Sequence, residues 1–151
     1  MGLGHQAAGG IELTSSAAVT SGNAAFEQAG LVPADIRYAS IYDSFTITVV
    51  VALEDLGFCA KGKGGAFVAD GNLVANVGRL AVNTDGGGLC NNHPANRGGV
   101  TKVIEAVRQL RGEAAPQVQI ANCELACVHG TGGHLATRHA CVTLILERAE
   151  G

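Results

Sequence analysis

Segments of helical and of extended periodicity alternate along this chain, and glycine-dense connections separate them. Residues 15–29, entered from a capping Thr14, put Ala18, Ala25, Phe26 and Ala29 at helical spacings and stop at Gly30 and Pro33. That pattern predicts a helix whose small apolar face suits close packing against a sheet or another helix. Residues 35–41 read as a short strand that runs into Tyr42-Asp43-Ser44-Phe45. In residues 45–56 the run Val49-Val50-Val51 favours a strand, whereas the length, a capping Asp43 or Ser44 and a stop at Gly57 favour a helix. The expectation is a buried helix, because a helix apolar nearly all round must be covered on every side. Residues 59–79, with Gly62, Gly64, Gly65, Gly71 and Gly78, form a long connection of the kind that more often serves function.

A short strand through Leu80 and Val82 meets Asn83-Thr84-Asp85-Gly86-Gly87-Gly88, and Asn92-His93-Pro94 and Gly98-Gly99 follow. Val100, Val103, Ile104, Val107 and Leu110 then make a 3.6-residue stripe as far as Gly112, with Lys102, Glu105 and Arg108 on the other face. Two strands, residues 117–128 and 138–147, close the chain around the loop His129-Gly130-Thr131-Gly132-Gly133. This order predicts α/β layering.

A length of 151 residues with 47% hydrophobic and only 15% charged residues predicts one folded domain, residues 1–151, and excludes disorder. The net charge of −3, without a run of Lys or Arg, gives no footprint for nucleic acid. The longest apolar stretch, residues 47–53, falls well short of the ~20 residues of a membrane span. Residues 1–10 have neither the basic flank nor the apolar segment of a secretory signal, so the expected location is cytoplasmic. The opening Gly2-Leu3-Gly4-His5 has no complete element before the first helix, as if an edge had been cut there. The five cysteines are odd in number and contain no CxxC pair, which predicts reduced thiols and neither a metal site nor a disulfide framework.

Chemistry concentrates at strand ends, where the loops of an α/β sheet converge. Tyr42-Asp43, His93 among glycines and the stretch from Cys127 to Gly133 carry the useful side chains. Gly130, Gly132 and Gly133 either aim amides at a developing oxyanion or make a tight turn between strands; the residues alone leave both open. Cys90 reads as a packed thiol.

Taken in order, Tyr42-Asp43-Ser44-Phe45, the run Asn83 to Gly88, Asn92-His93-Pro94 through Gly99, Glu105 to Glu113 and His129 to Gly133 resemble the C-terminal half of thiolases. The resemblance covers nearly the whole chain. It is closest to the branch of sterol carrier protein x and archaeal acetoacetyl-CoA thiolases, with the steroid side-chain retro-aldolases on the same fold. It implies a thiolase-type half with a mixed sheet flanked by helices, acting on coenzyme-A thioesters, with coenzyme A as substrate and no permanently bound cofactor.

By the same resemblance His93 is the base that activates a nucleophilic cysteine and helps bind an oxyanion. Tyr42 stands where the family usually has histidine or asparagine, and the retro-aldolase relatives use tyrosines in their sites. A phenol of ordinary pKa near ~10 is itself a poor base at neutral pH. His129 fits the family's last motif better than Cys127, although either is a candidate acid or base; Asn83, Gly130, Gly132 and Gly133 are candidate ligand contacts. The nucleophilic cysteine belongs to an N-terminal half that this chain does not show. The implied partners are therefore an acyl-CoA substrate, that N-terminal half or a second copy of the chain, and a small protein combining a zinc ribbon and an OB-fold. Three activities follow: thiolysis or condensation of 3-oxoacyl-CoA, retro-aldol cleavage of 3-hydroxyacyl-CoA, or a non-catalytic assembly role.

Overall fold

The computed structural model describes residues 13–91, 93, 98–133 and 140–149. Expectations placed on Gly2-Leu3-Gly4-His5, Asn92, Pro94 and Arg138 lie outside the described residues.

A four-stranded mixed sheet runs in the order β2-β1-β3-β4, built from β1 (Tyr38–Ile41), β2 (Ala81–Val82), β3 (Leu125–Gly132) and β4 (Ala140–Glu147). β1 pairs in parallel with β2 and β3, and β3 pairs antiparallel with β4. The α/β class and the mixed sheet flanked by helices are thus as expected from the sequence. Helix α1 (Ala18–Ala29) lies along β4 and touches α2 (Thr46–Asp55), which in turn meets the short α3 (Gly64–Val68). Helix α5 (Gly98–Arg111) packs on β3 and β1, and a one-turn helix α4 (Gly87–Cys90) precedes it. The strand period of two explains this layering. Ala39, Ile41 and Cys127 join Phe26, Leu53 and Leu56 in one core, whereas Tyr38, Ala126 and Val128 join Ala106 and Leu110 in the other.

Helix α1 ends as its sequence predicts: Gly30 adopts the left-handed conformation at φ 67°, and its N–H reaches the carbonyls of Glu27 and Phe26. Other expectations need correction. The connection over residues 59–79 contains α3 and a 3-10 turn, Ala69–Gly71. Helix α2 is not buried all round, for Phe45 and Ile47 are each 62% exposed and only Ala52, Leu53 and Asp55 are buried. Neither Asp43 nor Ser44 caps it: Phe45 holds the cap position without a side-chain bond, and Asp43 is engaged elsewhere.

Helix α5 inverts its predicted orientation. Gly98, Lys102, Glu105, Ala106, Gln109 and Leu110 face inward, while Val100 is 62% and Ile104 45% exposed. Two of the inward polar groups, Glu105 and Gln109, are satisfied by hydrogen bonds. Glu105 accepts the Thr84 hydroxyl at 2.7 Å, and Gln109 donates to Val118 O and accepts from Ile120 N, both at 2.9 Å. Buried polar groups with partners are tolerated in this way, and small Gly98 and Ala106 let the helix approach the sheet.

The expected loop at residues 129–133 is also mostly strand. His129, Gly130, Thr131 and Gly132 continue β3 opposite Thr143, Val142, Cys141 and Ala140. Pairing with the β-branched residues of β4 outweighs the glycines' preference for turns.

Candidate functional site

The sheet brings Tyr42 and His93 together from 51 residues apart. Tyr42 leaves the end of β1, its amide donating to His129 O at 2.8 Å, so its position follows from the parallel β1/β3 pairing. Its hydroxyl is hydrogen-bonded to His93 Nε2 at 2.7 Å, with the two rings 5.8 Å apart and tilted by 40°. The edge of the Tyr42 ring lies against Gly98 at the start of α5, where an added Cβ would sit 2.5 Å from the ring. Glycine is required there for close approach.

Asp43 anchors the second loop. Its buried carboxylate accepts Gly88 N at 2.7 Å and Leu89 N at 3.2 Å, and a Cβ on Gly87, which has φ 63°, would collide with it. Asp85 Oδ1 accepts Gly87 N at 3.0 Å, so both carboxylates hold the start of α4, the element that leads to His93. Between them lies Lys102, fully buried, its Nζ 3.9 Å from Asp43 Oδ1 and 3.8 Å from Asp85 Oδ1. Asn83, at φ 50°, exchanges two side-chain hydrogen bonds with the Ile41 backbone, 2.8 Å to its N and 2.9 Å to its O. Its own amide donates to Ala39 O at 3.2 Å, which extends the β1/β2 pairing.

The side chains of the remaining sequence candidates make other contacts. His129 turns to the α1 side of the sheet, where Nδ1 meets Thr143 Oγ1 at 3.0 Å and that hydroxyl meets Ser21 Oγ at 2.8 Å. Burial pushes its pKa down to about 4, partly opposed by the Asp55 carboxylate, so the imidazole is neutral at pH 7. Cys127 lies in the same core, and burial pushes its thiol up to about 12. Gly130 and Gly132 line a groove of about 350 Å³ on the α5 side together with Gly99, Val103, Val128 and Val142, while Gly133 follows the strand at φ 96°. Cys90 is exposed. No cluster of three or more His, Cys, Asp or Glu able to hold a metal occurs among the described residues.

Sequence reasoning named Asp43 beside Tyr42 and as a candidate cap, but gave Lys102 and Asp85 no role in the site. The signal was available, because Lys102, Glu105 and Gln109 recur at helical spacing as regularly as the valine stripe.

The family model described as "Thiolase C-terminal domain-like" matches residues 5–148. The chain belongs to this thiolase C-terminal domain-like family. Among thiolase relatives, it is 38% identical over 117 residues to an acetyl-CoA acetyltransferase of Methanothermobacter thermautotrophicus, covering 78% of this chain and 30% of that protein. It is 46% identical over 96 residues to a steroid side-chain-cleaving aldolase of Thermomonospora curvata, covering 64% of this chain and 24% of the aldolase. Among solved structures, a chain described as "Ltp2-ChsH2(DUF35) aldolase" superposes with a TM-score of 0.76 at 38% identity, over 91% of this chain and 33% of that one. This thiolase-like chain therefore spans about a third or less of the length of the proteins it matches. Its described residues include no helix long and apolar enough to cross a membrane.

Proposed function

We propose that this chain is the C-terminal part of a thiolase-like enzyme that cleaves the C2–C3 bond of 3-hydroxyacyl coenzyme-A thioesters by retro-aldol chemistry. The observation that carries the reading is the 2.7 Å contact between Tyr42 and His93. A phenol alone is a weak base at neutral pH, but one bonded to an imidazole can pass a proton on. The substrate's 3-hydroxyl gives its proton to the Tyr42 oxygen as the Tyr42 proton moves to His93 Nε2. The hydroxyl carbon becomes a carbonyl, and the C2–C3 electron pair leaves as the thioester enolate. Protonation at C2 completes the reaction and releases a shortened acyl-CoA. Neither coenzyme A nor a metal is consumed.

Thiolysis of 3-oxoacyl-CoA is the second reading, favoured by the longer match to the acetyl-CoA acetyltransferase, 117 residues against 96. There His93 would serve a nucleophilic cysteine from the N-terminal half, and Tyr42 would only orient a donor. The apolar face of α5 and β4, formed by Val100, Ile104, Val107, Val142 and Leu144, is exposed in this chain. We assign it to contact with that N-terminal half, since the relatives are about three times as long.

The test is turnover of both substrate types by the assembled protein. Cleavage of 3-hydroxyacyl-CoA that depends on Tyr42 supports the first reading. Thiolysis indifferent to Tyr42→Phe supports the second. An associated complex inactive on both substrates has an assembly role only.

A further inference from the structure

We infer that Lys102, acting through Asp43 and Asp85, is the positioning residue that holds Tyr42 and His93 in register, an inference that rests on the reading of this pair as the reacting one. Three segments converge on the site, the end of β1, the turn that enters α4, and helix α5, and each contributes a member of this charge cluster. Asp43 directly follows Tyr42 in the chain; Asp85 and Asp43 take the amides of Gly87, Gly88 and Leu89 at the start of α4; Lys102 belongs to the helix whose Gly98 backs the Tyr42 ring.

The geometry of the ammonium is unusual. Lys102 is fully buried, yet its Nζ makes no hydrogen bond among the described residues and stands 3.8 and 3.9 Å from its two carboxylates. At that separation it works as a point charge, and in a water-poor interior the attraction is several times that in bulk water. Its role is therefore to offset the negative charge that the two carboxylates bring to the same pocket. Neutralising the lysine would push Asp43 and Asp85 apart. Because one is covalently joined to Tyr42 and the other to the start of the loop that carries His93, the separation would open the Tyr42–His93 contact.

Lys102→Met keeps the chain length and removes the charge. The readouts are the ring ¹⁵N shifts of His93 with the Cζ shift of Tyr42, which report their hydrogen bond, and kcat and KM of the assembled enzyme. The expected result is loss of the hydrogen-bond shifts and a fall in kcat of about 10²-fold, the usual cost of a 1 Å misplacement, with KM little changed. Lys102→Met combined with Asp85→Asn removes one charge of each sign and should restore the shifts and bring kcat within about tenfold of the parent.

A folded Lys102→Met chain with unaltered shifts overturns the proposal, and so does one whose turnover falls only in proportion to the folded fraction. Should the single variant not fold, the double variant decides by the same shifts. Hydrogen-bond shifts retained there support the proposal, whereas shifts lost, or failure of both variants to fold, assign the charges to folding alone. The shifts need no substrate, so failure of the proposed reaction leaves this test standing.

Discussion

The Tyr42 hydroxyl lies 2.7 Å from His93 Nε2 because two separate backbone constraints meet at Tyr42. The β1/β3 pairing fixes its amide against His129 O, and the missing side chain of Gly98 gives its ring a place to rest. The Tyr42 side of the contact is therefore set by sheet topology and a single glycine, and both can be perturbed.

Removing either partner should separate the chemistry. Tyr42→Phe is expected to lower retro-aldol turnover by about 10²- to 10⁴-fold, the range for a lost general acid or base. His93→Ala should abolish turnover while changing stability by no more than about 0.5 kcal/mol, since the side chain is exposed. Steady-state kinetics with both substrate types, together with urea titration, check these values. A Tyr42→Phe enzyme with parental rates on both would make the tyrosine a packing residue.

Gly98→Ala puts a Cβ into the Tyr42 ring, whereas Gly99→Ala has nothing within 4 Å to meet. The first should cost about 1–3 kcal/mol through overpacking and displace the ring, lowering turnover further than the folded fraction explains. The second should be neutral, or stabilising by up to about 1 kcal/mol as a helical glycine is replaced. Equal effects of the two would mean that Tyr42 does not depend on this contact.

His129 should make the fold acid-sensitive in a defined window. Its pKa is lowered in the folded state from 6.5 to about 4, so between those values the unfolded chain binds the proton and the folded chain does not. Stability is then complete above about pH 6.5, falls as the pH drops and levels off below about 4, a loss of roughly 3 kcal/mol at most. Denaturant midpoints measured from pH 7.5 to 4 should follow this slope, and His129→Gln should flatten it. An unchanged slope in that variant would place the acid sensitivity elsewhere.

How far the sequence carries can be read from α5 and β3. Element order, the α/β class and the stop at Gly30 follow from periodicity and from the special conformations open to glycine. The inward face of α5 does not, because Val100, Ile104 and Val107 and the polar set Lys102, Glu105 and Gln109 both keep a 3.6-residue period. Which set faces the sheet is decided by partners outside the helix: Thr84, Val118 and Ile120, with Asp43 and Asp85 for the lysine. The glycines after His129 similarly read as a loop until β4 pairs with them. At the site, Tyr42 and His93 were singled out by motif, while the charge cluster beneath them was invisible to a criterion that expects ionic side chains at the surface.

That inverted helix bears on association. The sequence places the buried contact on residues 45–56, and Phe45 and Ile47 are exposed there, but α5 and β4 offer a second apolar face, where exposed Val100, Ile104, Val107, Val142 and Leu144 lie near the groove lined by Val103 and Val128. Contiguous apolar patches beyond a few hundred Å² are uncommon on soluble monomers, so this face should be covered when the protein assembles. Ile104→Glu places a charge in the middle of the face without touching the core, and it should weaken association with the N-terminal half at least tenfold. A charge desolvated without a partner costs more than the ~1.4 kcal/mol that factor represents. Ile47→Glu, on the exposed side of α2, should leave association unchanged. Sedimentation or light scattering at micromolar concentration compares the two. Loss of assembly with Ile47→Glu and its retention with Ile104→Glu would return the contact to α2.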